Sequence, residues 1–122
     1  MTRRVAGLQR LATINSGRDT IFVAEQNEEI IGFIRLQACK RNNHWINRGM
    51  GVAVRYRRQG VGSSLLSLAI EFARQKGAAA VISYTDKENI PSLTLHERIG
   101  FKKDILSRPQ PELRYRLCLS LV

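Results

Sequence analysis

The sequence predicts one α/β domain built around a single sheet, and three observations carry that expectation. Its 122 residues match the size of one ordinary domain, so residues 1–122 are expected to fold together. Hydrophobic residues make up 43% and charged residues 25%, near globular averages, which excludes disorder and low-complexity character. Segments of two-residue apolar alternation interleave with segments of helical spacing, and no repeat or linker interrupts them.

The elements follow in order. Val5, Leu8, Leu11 and Ala12 recur at helical spacing, so the first fifteen residues are expected to form a short amphipathic helix, ended by Asn15, Ser16 and Gly17. Ile21 to Gln26 and Ile30 to Cys39 are rich in β-branched and aromatic residues, and Asn27-Glu28-Glu29 between them reads as a hairpin turn. A third extended run goes from His44 to Val54. Ser63 to Lys76 carries Leu65, Leu66, Ala69, Ile70 and Ala73 on one stripe, with Gly77 where a left-handed helix end needs it. Ala79 to Tyr84 reads as a buried strand, and Thr85 to Asn89 as a polar loop. Pro91 in a first turn and Gly100 just past the end bracket a second helix, Pro91 to Ile99. Phe101 to Ser107 reads as a strand and Arg108-Pro109-Gln110-Pro111 as a turn. Glu112 to Val122 alternates, with Leu113, Tyr115, Leu117, Leu119 and Leu121 on one face.

No apolar stretch approaches the roughly 20 residues needed to cross a bilayer, and Met1 to Arg10 has no apolar core of signal-peptide length, so no membrane contact and a cytoplasmic location are expected. Cys39 and Cys118 lack a second Cys or a His at metal-ligand spacing and read as reduced, buried thiols; no metal is expected. The formal net charge of +10 is the one extreme, and it favours anionic partners. Nucleic-acid binding is not expected, because no aromatic stacking row or recognisable motif accompanies the charge.

The informative segment runs from Val52 to Ser63. A strand passes through the basic cluster Arg55, Arg57, Arg58 and the glycines Gly60 and Gly62 into a helix. Glycines let the backbone approach a ligand closely, and the first N–H groups of a helix lack intrahelical partners, so this turn is a candidate phosphate cradle. It ends in no Gly-Lys-Ser/Thr, and no Gly-x-Gly-x-x-Gly is present, which sets aside the simplest nucleotide folds.

Arg57-x-x-Gly60-x-Gly62 between strand and helix, followed by Asn89 and a helix ending Leu95-His96-Glu97-Arg98-Ile99-Gly100-Phe101, resembles the GNAT superfamily of N-acetyltransferases. The resemblance covers roughly Ile21 to the end. It implies a mixed, mostly antiparallel central sheet flanked by helices, acetyl-CoA as cosubstrate, and direct attack by a primary amine in a ternary complex. Carried over, the N–H groups of Arg58, Gln59, Gly60, Val61, Gly62 and Ser63, together with Arg57, would hold the pyrophosphate. The strand around Met50, Gly51, Val52 and Val54 would pair with the pantetheine arm, the Val52 N–H would face the thioester oxygen, and Asn89 would bond the cofactor arm. Asn89 also suits a helix N-cap.

His96 stands where much of the family has the tyrosine that protonates the leaving thiolate. Leu-His-Glu here resembles the phosphinothricin and amino-acid N-acetyltransferases, and an imidazole can exchange a proton near neutral pH. The positions matching the family's usual carboxylate base, near Ile46 and Tyr84, hold none. An amine acceptor of a small-molecule or amino-acid-like kind is expected, with a non-catalytic acyl-CoA-binding module as the alternative. Family members usually begin with a strand and two helices before the strand placed at Ile21, so the resemblance also implies a shortened N-terminus lacking the first strand, an uncovered edge and a homodimer.

Overall fold

The computed structural model describes residues 10–16, 19–104 and 114–122. Strand β1 (Arg10–Ser16) is followed by β2 (Asp19–Gln26), β3 (Glu29–Cys39), β4 (His44–Val52), helix α1 (Val61–Gln75), β5 (Ala80–Asp86), helix α2 (Ile90–Ile99), β6 (Lys102–Lys103) and β7 (Arg114–Ser120). The strands form one seven-stranded sheet in the order β1-β2-β3-β4-β5-β7-β6. Every neighbouring pair is antiparallel except β4 with β5. This is the mixed, mostly antiparallel sheet with helices that the sequence led us to expect.

The N-terminus differs from expectation. Residues 10–16, read as the second half of a helix, form β1, paired with β2 from Arg10–Glu25 to Ser16–Asp19. Leu11 and Ala12 complete a helical stripe only with Val5 and Leu8, which lie outside the described residues. Thr13 and Ile14 are β-branched, and pairing with β2 overrides a short helical pattern. A strand therefore does precede Ile21. Only residues 17 and 18 separate β1 from β2, which leaves no room for a helix between these two strands.

Other boundaries move by a few residues for visible reasons. β2 and β3 meet in a two-residue turn at Asn27 and Glu28, whose φ values of 53° and 62° are the paired left-handed conformations of a tight hairpin. β4 stops at Val52 because Val54–Tyr56 turn into a short 3-10 helix. β5 runs on to Asp86, held there by β7, where the sequence suggested a loop from Thr85. Gly100 ends α2 at φ 120°. The expected strand Phe101 to Ser107 is reduced to Lys102–Lys103, and its remainder and the turn at 108–111 lie outside the described residues apart from Asp104.

Alternation assigns the two faces of the sheet. Phe22, Ile34, Leu36, Val81 and Leu117 point inward with Leu65, Leu66, Ala69 and Ala73 of α1, and all belong to one buried cluster. Phe72 of α1 packs edge-on against Phe22 and Trp45, at 5.3 and 5.1 Å between ring centroids. Gly32 on β3 lets α1 sit down on the sheet, since a Cβ there would meet Val61 and Leu65 side-chain carbons and the Gly51 carbonyl oxygen, each at 3.1 Å. That close approach sets where the helix begins. Helix α2 lies on the same face: the Thr85 and Ser92 hydroxyls are 3.4 Å apart, and Leu95 lies beside Gly62. The opposite face carries the half-exposed Phe33 and Arg35, and next to β7 it carries Tyr84 and Asp86. Among the described residues no helix is long and apolar enough to cross a membrane.

Candidate active site

The site begins where β4 and β5 part. Their parallel pairing covers only His44–Asn47 against Ala80–Ser83. Beyond it β4 continues to Val52 and β5 to Asp86 with no ladder between them. A bulge opposite Arg35 and Leu36 places an extra residue, Arg48, in β4, and a bulge bends a strand and sharpens its twist. Asn47 braces the fork, donating to the Ser83 hydroxyl at 3.2 Å while its oxygen accepts from the Gly49 N–H at 3.0 Å. The resulting cleft of about 350 Å³ is lined by Asn47 to Met50, Tyr84 to Asp86, Asn89, Ser92, His96 and Arg114.

Backbone alternation decides which groups of β4 face this opening. The Ala53 N–H donates to the Ile31 carbonyl of β3 at 2.8 Å. In an antiparallel ladder every second residue repeats that direction, so Gly51, opposite Phe33, also turns its polar groups to β3, and Met50 and Val52 turn theirs toward the parted side. Val52 and Met50 thus turn their backbone polar groups to the opening. Gly51 does not: its polar groups lie in the ladder, and its Cβ position is 3.1 Å from the Phe33 ring on the other face. Val54 has left the strand altogether, is 75% exposed, and accepts the Arg57 N–H at 3.2 Å.

The turn that follows has the form of a cradle. Arg58 and Gly60 both adopt left-handed backbone, at φ 64° and 83°. The first bond of α1 runs from the Ser64 N–H to the Gly60 carbonyl at 3.0 Å, so the N–H groups of Val61, Gly62 and Ser63 come before any intrahelical partner, at the positive end of the helix dipole. A Cβ at Gly62 would meet Leu95, Val52 and Met50 side-chain carbons at 3.7 to 3.8 Å, ordinary contact. Packing therefore leaves room for a small side chain at Gly62, whereas Gly60 is a site of backbone necessity. The basic cluster is divided among tasks. Arg55 pairs with Glu29 at 2.8 Å, which pushes its already high pKa further up, and stacks on Tyr56. Arg57 ties the turn to β4, Nε donating to the Val52 carbonyl at 3.1 Å. Gln59 donates to the Arg55 carbonyl at 3.3 Å. Arg58 has no side-chain partner among the described residues.

On α2, Asn89 caps the helix, its oxygen accepting the Ser92 N–H at 3.3 Å, and it also lines the cleft. His96 is 1% exposed and edge-on to Phe101 at 4.8 Å. Its Nδ1 lies 2.8 Å from the Ser92 carbonyl, an oxygen that can only accept, so Nδ1 carries the proton and Nε2 the lone pair. Nε2 is buried with no hydrogen-bond partner among the described residues. Burial drives the imidazole below its ordinary pKa, and the bond to the Ser92 carbonyl offsets this only in part. His96 thus presents Nε2 as an open acceptor, with its Nδ1 proton committed to the Ser92 carbonyl.

Several cleft residues carried no local signal in the sequence: Asn47, Arg48, Thr85, Asp86, Ser92 and Arg114. Most reach the site through the β4 bulge or through β5 and β7 pairing, both long-range. His44 lies at the far end of β4 from the cradle, and Cys39 and Cys118 are free and half-buried.

A family model described as "Acetyltransferase (GNAT) family" matches residues 4–101. The chain belongs to that family. Among curated GNAT relatives, an uncharacterised N-acetyltransferase of Bacillus subtilis, YhfO, is 30% identical over 97 residues, covering 76% of this chain and 65% of its own. The mycothiol acetyltransferase of Corynebacterium glutamicum is 29% identical over 82% of this chain and 33% of its own. This GNAT chain therefore spans from about two thirds to one third of those relatives. A Bacillus subtilis acetyltransferase solved in complex with CoA superposes with a TM-score of 0.74 at 24% identity, over 86% of this chain and 78% of that one. The ribosomal-protein-S18-alanine N-acetyltransferase of Escherichia coli gives 0.73 at 23%, over 88% and 72%. These two likenesses are of fold.

Proposed function

We propose that this GNAT domain is an acetyl-CoA-dependent N-acetyltransferase acting in the cytoplasm on the primary amine of a small-molecule or amino-acid-like acceptor, both substrates being bound together. One observation carries the reading: the N–H groups that open α1 and the cleft-facing N–H groups of Met50 and Val52 follow one another along β4 and its continuation, with Gly62 beside the Met50 and Val52 side chains. The first set suits a pyrophosphate, held by the backbone of residues 58–63 with Arg58 alongside. The second suits an extended amide-bearing arm, with the Asn89 amide nitrogen close by. Bound acetyl-CoA would supply the thioester whose carbonyl carbon the amine attacks, forming the C–N bond as the C–S bond breaks.

The chain's own residues have three tasks. The Val52 N–H faces the carbonyl oxygen and steadies negative charge there, a contribution on the order of 3 kcal/mol when such a donor is preorganised. Arg57, by holding the Val52 carbonyl, fixes that peptide's orientation. His96 Nε2 accepts the proton the amine must lose and returns it to the departing sulfur, so that one side chain serves in place of a separate carboxylate base. The experiment is to supply acetyl-CoA with and without a panel of primary amines and watch free thiol appear. Amine-dependent release supports the reading. The second reading, a non-catalytic acyl-CoA-binding module, is favoured by the lack, among the described residues, of a carboxylate bonded to His96, and it gives binding without release.

We also propose a homodimer, now on different grounds. Phe33 and Ile30 stand 41% and 58% exposed on or beside the helix-free face, an apolar area suited to a second copy. Light scattering should give twice the monomer mass at micromolar concentration, and Phe33→Lys should return the mass to that of one chain. A wild-type monomer would remove this part of the proposal.

A further inference from the structure

The cleft passes through the sheet, and its two mouths differ in chemistry. Thr85, Ser92 and His96 lie on the helix face with the cradle. Tyr84 and Asp86, two residues apart on β5, lie on the other face, and Arg114, directly opposite Asp86 on β7, joins them there. Opposite charges at directly facing positions in an antiparallel pair are close enough to bond. Here they do not: Arg114 instead lies over the Tyr84 ring, 5.7 Å from its centroid, and Asp86 has no ion pair among the described residues. The neighbouring Arg116, by contrast, is bonded to Asp104. Arg48, thrust out by the bulge in β4, is steadied through Nε by the Gln37 oxygen at 3.0 Å, which leaves its terminal nitrogens free at the same mouth. Among the described residues, one unpaired carboxylate and two guanidinium groups with no carboxylate partner thus line the mouth away from the cradle.

We propose that this mouth selects a zwitterionic acceptor: an amine carrying a carboxylate nearby, as a free α-amino acid does. Asp86 holds the ammonium as it enters, and Arg114 with Arg48 holds the carboxylate through charge-assisted hydrogen bonds. The proposal rests on the acetyltransferase reading and narrows its acceptor. A site that pairs its own charges with the substrate's rejects an analogue lacking one of them strongly, because the protein's group is then left without its partner.

The test compares each of the common L-α-amino acids with its own primary amide as acceptor, at fixed saturating acetyl-CoA, reading thiol release. The amide has the less basic amine, so intrinsic reactivity favours it; a site that reads the carboxylate reverses the order. For the best pair we expect kcat/KM at least about tenfold higher for the acid, on the scale of a lost charged contact. Arg114→Gln should raise KM for the acid about tenfold and bring the ratio toward one, and Asp86→Asn should raise KM for acid and amide alike. Amides used as well as acids, or an unchanged ratio in Arg114→Gln, overturns the proposal while leaving the acetyltransferase reading intact. Absence of any thermal shift with acetyl-CoA overturns that underlying reading instead. Acetyl-CoA bound with no thiol release from any pair overturns the acceptor proposal and favours the binding module.

Discussion

Gly62→Asp should abolish the rise in melting temperature that acetyl-CoA gives the wild-type protein. A ligand at about a hundred times its Kd stabilises the folded state by about 2.7 kcal/mol, which for a domain of this size corresponds to a shift of about 10 °C. The new carboxylate would sit in the first turn of α1, where the helix dipole and free N–H groups favour it, so the fold itself is not weakened by charge. It fills the place of the phosphate with the same sign of charge. Gly62→Ala is the companion: its Cβ meets only side-chain carbons at 3.7 Å or beyond, and it should keep most of the shift. At Gly60 the requirement is different, because φ 83° disfavours any side chain, and Gly60→Asp combined with Gly62→Asp should lose both the shift and some intrinsic stability. A Gly62→Asp protein that responds to acetyl-CoA like the wild type would end the assignment of the cradle.

His96→Ala should lower turnover by about 10² to 10⁴-fold while leaving the acetyl-CoA thermal shift in place, the usual range for loss of a proton-transferring group. His96→Gln separates proton transfer from packing, since it can keep a bond to the Ser92 carbonyl and fill most of the space but cannot carry a proton. If both variants fall alike per folded molecule, the ring's proton traffic is the cause; if Gln retains full turnover, His96 is a packing residue. The pH dependence has a definite sign. The folded-state pKa is lowered by burial, so between the ordinary value of about 6.5 and that lower value the unfolded chain binds the proton more readily. The contribution to stability is complete above pH 6.5 and is lost as pH falls through the folded value. Urea unfolding at pH 7.5 and 5.5 should show a loss for the wild type that is smaller for His96→Gln. Turnover should persist toward mildly acidic pH for the same reason, because Nε2 keeps its lone pair there.

The sequence by itself determined the strand-turn-helix passage through Arg57, Gly60 and Gly62, both helices, the β2–β3 hairpin and the alternating last strand. Each of these is written in neighbours a few residues apart: a stripe at helical spacing, a left-handed glycine, a proline in a first turn, a two-residue alternation. That is why the strand-turn-helix passage and the His96 helix were legible, with boundaries off by at most two residues. Tertiary structure decided the rest. Whether residues 10–16 became helix or strand depended on an edge of β2 waiting to be paired. Which of Met50, Gly51 and Val52 face the cleft depended on the register with β3, and a shift by one residue would exchange them. Asp86 and Arg114 face each other because β7 pairs with β5, although all of α2 lies between them in the chain. Which nitrogen of His96 is left open was decided by folding, which aimed Nδ1 at the Ser92 carbonyl and buried Nε2. Local spacing can state which residues are available for chemistry; charge state, direction and company belong to contacts between segments distant in the chain.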